Sequence, residues 1–277
     1  MTDYAFRIVN VFAETPLAGN PLCVFEDGTS LSSETMQALA LQFNLSETTF
    51  LLRSEVATAR VRIFTPTFEM PFAGHPTLGS AHVVRALRGG DRVTLQMLAG
   101  VIPVEAEGDV WTLCARAPQH REPDATRGEL AAMLRIDATT IVDRPLWVDT
   151  GSEQFIVPLA SFDAVRAAKP DGQAMTRVAS NGTRAMTYVF AREGDRVLSR
   201  FFFLKHGAVI EDPGTGSACA NLGGWLLATG SALPQRLRID QGEAVLRPCV
   251  LGLEVTRERE IRVSGRVIEI GRGTVSM

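Results

Sequence analysis

Two short segments with the same spacing of glutamate, proline and glycine decide the fold of this chain. EMPFAGH occupies residues 69–75, and EDPGTGS occupies residues 211–217. Each segment runs into a helix-like stretch rich in small residues, PTLGSAHVVRAL at 76–87 and ACANLGGWLL at 218–227. A motif that recurs at an offset of about half the chain, followed each time by a similar helix, indicates a duplicated unit.

The two segments are also candidate anion sites. A glycine-containing loop that enters a helix leaves backbone N–H groups unpaired, and the helix dipole adds partial positive charge there. Pro76 suits a first helical turn because its missing N–H would have no partner in any case. Two such helix starts facing each other would hold a carboxylate, with His75 and Ser217 at equivalent positions. Taken singly, each loop is also compatible with an ordinary turn and tight helix packing.

Composition narrows the classes of protein. The 277 residues are 45% hydrophobic, which is enough for a large core and fits two domains better than one. A net charge of −3 argues against a nucleic-acid partner. No apolar run reaches the roughly 18 residues of a membrane span, and residues 1–12 resemble a strand rather than a signal peptide. A cytoplasmic protein that contacts no membrane is therefore expected.

The cysteines argue against a metal centre and against a disulfide framework. Four cysteines are far apart in the sequence and form no CxxC pair, so buried thiols are the expected interpretation. His75 and His82 are seven residues apart on one predicted helix and could share a face, but nothing else resembles metal-ligand spacing. Neither a metal nor another cofactor is expected. The four are Cys23, Cys114, Cys219 and Cys249.

Short β-rich runs dominate both halves, and one of them is predicted at residues 140–148. An amphipathic helix around residues 36–43 interrupts the strands of the first half, with Ser32 or Ser33 as its cap. The pattern favours an α+β protein.

The domain boundary is predicted in residues 116–127, which contain two prolines and many charges. Thr126 and Glu129 have capping-box spacing for a helix that starts just after this linker. The predicted domains are residues 1–118 and 126–277, and the final strand could return to the first domain.

Three ionisable residues near these features are candidates for proton chemistry. Glu47 lies between the amphipathic helix and an apolar strand, where partial desolvation would raise its pKa toward neutrality. From the sequence alone, a surface glutamate is the simpler interpretation. His75, at a helix start, is expected to be less basic than usual, although a single histidine is more often structural. Asp212 directly precedes the second loop and could equally be a turn former.

With these residues located, the chain resembles the phenazine-biosynthesis (PhzF-like) isomerase family, which has the diaminopimelate-epimerase-like fold. The resemblance spans about residues 8–272, nearly the whole chain. The matching segments are Gly19-Asn20-Pro21, NLSET at 44–48, Phe64-Thr65-Pro66, the two repeated loops, Gln241-Gly242 and Arg247-Pro248.

The resemblance implies two pseudo-symmetric domains, each a barrel-like, mostly antiparallel sheet around a central helix. It also implies a homodimer and a cleft between the domains, in which a proton shifts on a small carboxylate-bearing molecule without a cofactor. Glu47 would be the proton shuttle, with His75 and Asp212 as further catalytic residues. Substrate binding would fall to four residues: Gly74, Gly216, Ser217 and Asn20.

Two other functions remain as alternatives. Racemases and epimerases of the same fold resemble this chain, but they use one cysteine on each side of the substrate. Here Ala73 and Pro213 occupy the nearest positions, and Cys219 has no partner in the other half. A non-catalytic binder of small carboxylates would not need Glu47, since binding alone requires no base.

Overall fold

The computed structural model describes all 277 residues, and the chain divides into two compact units. The first unit comprises Met1–Cys114 and Ser264–Met277, and the second comprises Ala115–Val263. The C-terminal segment therefore packs with the N-terminal unit, and the division lies just ahead of the predicted linker.

Seventeen strands and six α-helices form the two units. None of the helices combines the length and the apolar character that a membrane span requires. The helices are α1 (Ser33–Phe43), α2 (Gly74–Arg88), α3 (Arg127–Leu134), α4 (Phe162–Ala167), α5 (Gly172–Val178) and α6 (Gly216–Ala228). The strands are β1 (Asp3–Val11), β2 (Asn20–Phe25), β3 (Glu47–Leu52), β4 (Ala59–Phe64), β5 (Glu69–Met70), β6 (Arg92–Met97), β7 (Gly100–Glu107), β8 (Val110–Cys114), β9 (Gln119–Arg121), β10 (Leu146–Asp149), β11 (Gln154–Pro158), β12 (Met186–Glu193), β13 (Arg196–Lys205), β14 (Ala208–Asp212), β15 (Gln235–Gln241), β16 (Cys249–Val255) and β17 (Ile261–Ser276).

The first unit is a closed barrel around α2. Its ring runs β1, β2, β3, β4, β6, β7, β8 and β17, and β17 pairs with β1 to close it. All ring pairings with a described register are antiparallel except β2–β3 and β4–β6. The central helix α2 contacts strands all around the ring. The short strand β5 pairs only with β4 and leads into α2.

The second unit repeats this succession of strands. β10–β11 is antiparallel, β11–β12 parallel, β12–β13 antiparallel, β13–β15 parallel and β15–β16 antiparallel. β14 pairs with β13 as β5 pairs with β4, and it leads into the central helix α6. The expected α+β fold, with two pseudo-symmetric barrel-like units, is confirmed.

Small residues let the central helices approach the surrounding strands. A Cβ atom on Gly79 of α2 would lie 2.6 Å from Leu22 Cδ2, and one on Gly224 of α6 would lie 2.7 Å from Val148 Cγ1. Side chains at these positions would overlap their neighbours. The small-residue-rich stretches of the sequence are therefore needed for a helix to fit inside each barrel.

The predicted helix caps are confirmed, but one predicted strand is wrong in part. The Ser32 side chain caps α1, and Thr126 and Glu129 form a complete capping box on α3. Residues 140–148 are not one strand, because only Leu146–Asp149 forms β10 and a 3₁₀ turn occupies Ala138–Thr140. Asp143 between them has a φ of 50°, which is incompatible with an extended chain.

Candidate active site

The two central helices begin without the capping that the other helices have. Ala73 and Thr215 are the N-cap residues of α2 and α6, and neither side chain accepts a hydrogen bond from the helix. No N-cap side chain therefore satisfies the first N–H groups of either helix, and a helix start of this kind suits an anion. The other four α-helices are capped by Ser32, Thr126, Ser161 and Asp171.

A duplicated arginine–glutamate pair fixes the strand that leads into each central helix. In the first unit, Arg62 Nε and Nη2 donate to the two carboxylate oxygens of Glu69 at 2.7 and 2.6 Å. In the second unit, Arg200 Nε and Nη2 donate to both oxygens of Glu211 at 3.0 and 2.6 Å. Both pairs are bidentate, the strongest arrangement for these groups. The motif glutamates therefore hold the loops in place.

The same pairs occur at the same strand register. Phe64 faces Glu69 across β4 and β5, and Phe202 faces Glu211 across β13 and β14. In each unit the guanidinium also lies over that phenylalanine ring, 4.9 Å from its centroid in the first and 4.7 Å in the second. The repeat seen in the sequence thus extends to side chains outside the motif. The sequence alone does not identify Arg62 and Arg200, because each lies on a neighbouring strand, seven and eleven residues before its glutamate partner.

In the first unit, Glu47 and His75 lie side by side at the start of the central helix. Glu47 is the first residue of β3 and His75 is the second residue of α2. His75 Nε2 is 3.5 Å from Glu47 Oε2, and the two side chains are only 7% and 15% exposed. Asn20, the buried first residue of β2, places its Nδ2 3.5 Å from His75 Nδ1. Glu47 is thus in a largely buried position, where the sequence alone favoured a surface one.

Burial keeps His75 uncharged. Loss of solvent lowers the pKa of the imidazole to about 3, and a hydrogen bond with the backbone of Pro21 opposes this shift only in part. A neutral imidazole carries one N–H donor and one acceptor nitrogen. The Glu47 carboxyl group can therefore gain or lose a proton while the neighbouring imidazole stays neutral. This environment suits a glutamate that takes and returns a proton.

We expect the buried imidazole to make the protein sensitive to acid. His75 has a pKa of about 3 when folded and an ordinary value of 6.5, so the unfolded chain binds the extra proton between these pH values. The contribution of the neutral His75 to the free energy of unfolding should therefore be complete above about pH 6.5. As the pH falls toward 3, this contribution should decrease by at most roughly 1.4 kcal/mol per pH unit.

Urea unfolding of the parent and of His75→Asn between about pH 7 and pH 4 measures this contribution, since asparagine does not titrate there. The substitution should flatten the dependence of the unfolding free energy on pH. Equal slopes for the two proteins would show that His75 is not held neutral.

The second unit brings Asp212, Gly216 and Ser217 together around a braced loop. Thr215 Oγ1 donates to Asp212 Oδ2 at 2.5 Å, so the threonine is engaged there instead of capping α6. Gln241 Nε2 donates to the Asp212 carbonyl at 2.9 Å and to Thr215 Oγ1 at 3.0 Å. Gln241, which belongs to the Gln241-Gly242 segment of the family resemblance, therefore sets the shape of this loop.

Gly242 allows that loop to be packed closely. Its φ is +83°, and a Cβ atom there would lie 2.5 Å from the carbonyl oxygen of Pro213 and closer still to that of Arg247. Both contacts are with backbone, so no side chain can be accommodated.

The two units differ in the groups that could move a proton. β12 is the counterpart of β3, but it begins with Met186 and has no carboxylate before Glu193 at its far end. Cys219 is buried within α6, and burial raises the pKa of its thiol. A reactive thiolate is disfavoured in that environment. Among the paired strand starts and loops, the buried carboxylate next to a histidine belongs to the first unit alone.

Comparisons with known proteins identify the family. The family model for phenazine biosynthesis-like protein matches residues 9–273. An uncharacterised isomerase of Pasteurella multocida is 37% identical, over 99% of this chain and 94% of its own length. A trans-2,3-dihydro-3-hydroxyanthranilate isomerase of Pseudomonas fluorescens is 35% identical, over 98% of each chain.

A solved structure carries the same fold. The PhzF-family phenazine biosynthesis protein of Bacillus anthracis superposes with a TM-score of 0.89 over the full length of both chains, at 24% identity. That identity supports the fold alone, whereas the family match and the curated relatives extend to the activity. The chain therefore belongs to the phenazine biosynthesis-like (PhzF) family and is an isomerase.

Proposed function

We propose that this isomerase shifts a proton on a small carboxylate-bearing molecule, with Glu47 as the group that removes and returns the proton. The observation that carries the proposal is the contact of Glu47 with the buried, neutral His75 at the uncapped start of α2. A base near an acidic C–H and N–H donors near a carboxylate are the two things such a reaction needs.

In this proposal, removal of the proton places negative charge on the substrate, and the charge spreads into its carboxylate. The N–H groups at a helix start that no N-cap side chain satisfies stabilise that charge, because their orientation is fixed by the helix before the reaction. Glu47 then delivers the proton to another carbon on the same face. His75 and Asp212 orient the substrate. Unsaturation in the substrate spreads the charge, so the proposed reaction includes no cofactor.

The substrate class proposed is a small unsaturated carboxylic acid. The relative from Pseudomonas fluorescens is named for such a molecule, trans-2,3-dihydro-3-hydroxyanthranilate. We extend the class, rather than that compound, to this chain, since the more similar relative is uncharacterised. The proposal also retains the expectation that both helix starts serve one substrate in a cleft. The homodimer and the cytoplasmic location stay predictions.

A crystal structure with 3-hydroxyanthranilate, an aromatic analogue of the compound in that name, tests the carboxylate site. We expect a carboxylate oxygen within about 3.2 Å of a backbone N–H at the start of α2 or α6. The ring should lie against Glu47. A carboxylate bound through side chains elsewhere, with both helix starts left without the ligand, would contradict the proposed site.

The thiol should play no part in turnover. Cys219→Ala should leave the rate of isomerisation within a few-fold of the parent, apart from a stability loss of roughly 1 kcal/mol from the packed helix. The measurement is the steady-state rate with an unsaturated carboxylic acid that the parent isomerises, next to a thermal unfolding curve; trans-2,3-dihydro-3-hydroxyanthranilate is the first compound to try. A folded variant without any activity would revive the racemase alternative, in which a thiol carries the proton.

A further inference from the structure

A chain of buried hydrogen bonds connects the backbone of the second unit to the hydroxyl group of Ser217. Thr150 N and Oγ1 both donate to Asn221 Oδ1, at 2.9 and 2.7 Å. Asn221 Nδ2 donates to the Ser152 carbonyl and to Gln154 Oε1, each at 2.8 Å. Gln154 Nε2 then donates to Ser217 Oγ at 2.9 Å. Asn221 is fully buried and Gln154 is 3% exposed.

The direction of every bond in this chain follows from its backbone end. A backbone N–H can only donate, so the Asn221 atom next to Thr150 N must be the oxygen. A backbone carbonyl can only accept, so the atom next to the Ser152 oxygen must be the amide nitrogen. That nitrogen also faces Gln154, which fixes the Gln154 oxygen toward Asn221 and the Gln154 N–H toward Ser217.

These bond directions determine where the Ser217 hydroxyl group can donate. Because Ser217 Oγ accepts from Gln154, its own hydroxyl hydrogen must point to another acceptor. Ser217 is the second residue of α6, next to the uncapped helix start. A hydroxyl donor at a helix start without a side-chain cap suits a carboxylate, whereas a hydroxyl turned the other way would present lone pairs to it.

We propose that Gln154 and Asn221 are positioning residues that set the Ser217 hydroxyl as a donor to the substrate carboxylate. This inference rests on the proposed function, because it requires that a carboxylate binds at Ser217. The first unit has a related contact, since Asn20 at the start of β2 lies next to His75. There the second helix residue is a histidine, and α2 has glycine rather than asparagine four residues further on. The orienting chain is therefore specific to the second unit.

Titration calorimetry with 3-hydroxyanthranilate on the full-length protein tests the inference. Ser217→Ala should weaken binding roughly ten- to hundredfold, since it removes a hydrogen bond to a charged group. Gln154→Met should weaken binding by roughly three- to tenfold, because the hydroxyl can then rotate. The double variant should bind no more than about twofold more weakly than Ser217→Ala, since both changes act through one hydroxyl.

Gln154→Glu should give a pH-dependent change in ligand binding that a purely structural role of Gln154 would not produce. The introduced carboxylate keeps the acceptor for Asn221 Nδ2, but it draws the Ser217 hydroxyl hydrogen toward itself and repels the ligand. Binding at about pH 8 should therefore be weaker than in Gln154→Met. The loss relative to the parent should shrink toward about pH 5.5, as the buried carboxyl group takes up a proton and can donate to Ser217.

The control is Gln173→Met, which changes an exposed amide on α5 and should bind like the parent. Circular dichroism of each variant verifies the fold. If Ser217→Ala weakens binding but both folded Gln154 variants bind like the parent, or if the losses simply add, the positioning role is overturned while the carboxylate site stands. If the parent does not bind the probe, the proposed carboxylate site fails and the inference fails with it.

Discussion

Glu47→Gln is expected to lower kcat by about 10²–10⁴-fold, the range that general acid–base catalysis contributes. Glutamine keeps the size of the side chain and its ability to hydrogen-bond next to His75, but it cannot take up a proton. Affinity for the carboxylate should stay close to that of the parent, because the proposed carboxylate donors are backbone N–H groups and Ser217. Steady-state kinetics with an unsaturated carboxylic acid that the parent isomerises give the effect on kcat. Calorimetry with 3-hydroxyanthranilate gives the effect on affinity.

Two variants serve as controls for this prediction. Glu47→Asp retains a base that sits about one methylene too far back, so it should keep part of the activity. Glu55→Gln changes an exposed glutamate that follows β3 and should have no effect. A Glu47→Gln protein with the parent kcat would remove Glu47 from the reaction.

Glu211→Gln is expected to destabilise the protein by about 3–5 kcal/mol, because it leaves a buried charge without its partner. Arg200 and Glu211 are 14% and 9% exposed. Arg200 cannot turn to solvent easily, since its Nη1 also donates to the carbonyl of Ala168 at 2.7 Å. Urea unfolding followed by circular dichroism gives the free energy.

Two other glutamate substitutions serve as comparisons for the stability loss expected in Glu211→Gln. Glu69→Gln affects the equivalent pair of the first unit, where Glu69 is 25% exposed, so its loss should be smaller. Glu243→Gln affects an exposed pair with Arg166 and should change stability by less than about 1 kcal/mol. Equal losses in Glu211→Gln and Glu243→Gln would show that burial of the pair adds nothing.

The sequence predicts those features that depend on local pattern. The repeated loops, the helices after them and the caps at Ser32 and Thr126 follow from the spacing of glycine, proline and capping residues, and the structure confirms them. Local pattern fails where tertiary contacts decide. Residues 140–148 are apolar enough for a strand, but Asp143 turns the chain and Pro145 lacks the N–H that a sheet would need.

The motif residues of the candidate site follow from the sequence, whereas the residues that support them do not. The sequence places Glu47 between a helix and a strand, but only the fold brings it to 3.5 Å from His75, which is 28 residues away. The sequence carried one signal for Gln154 and Asn221, since Asn221 is an amide among small and apolar residues and Gln154 directly precedes an apolar run. Their hydrogen-bond direction depends on Thr150 and Ser152, to which no spacing rule connects them.

The two duplicated units share their architecture but differ in the group that could act as a base. Both units keep the arginine–glutamate pair, the uncapped helix and the parallel strand next to it. Only the first keeps a carboxylate at the start of that strand, and the second instead has a polar chain that ends on Ser217. A symmetric pair of thiols, one in each unit, would not need this difference.

Exchange of a substrate C–H for deuterium in D₂O, followed by proton NMR, tests whether Glu47 is the base. Because the Glu47 side chain is 15% exposed, the proton that it takes up can exchange with D₂O before it is returned, so the parent should incorporate deuterium at the receiving carbon. Glu47→Gln, at a ligand concentration that saturates both proteins, should exchange at least about 10²-fold more slowly. If Glu47→Gln binds normally and exchanges at the parent rate, Glu47 is not the base and the account is wrong.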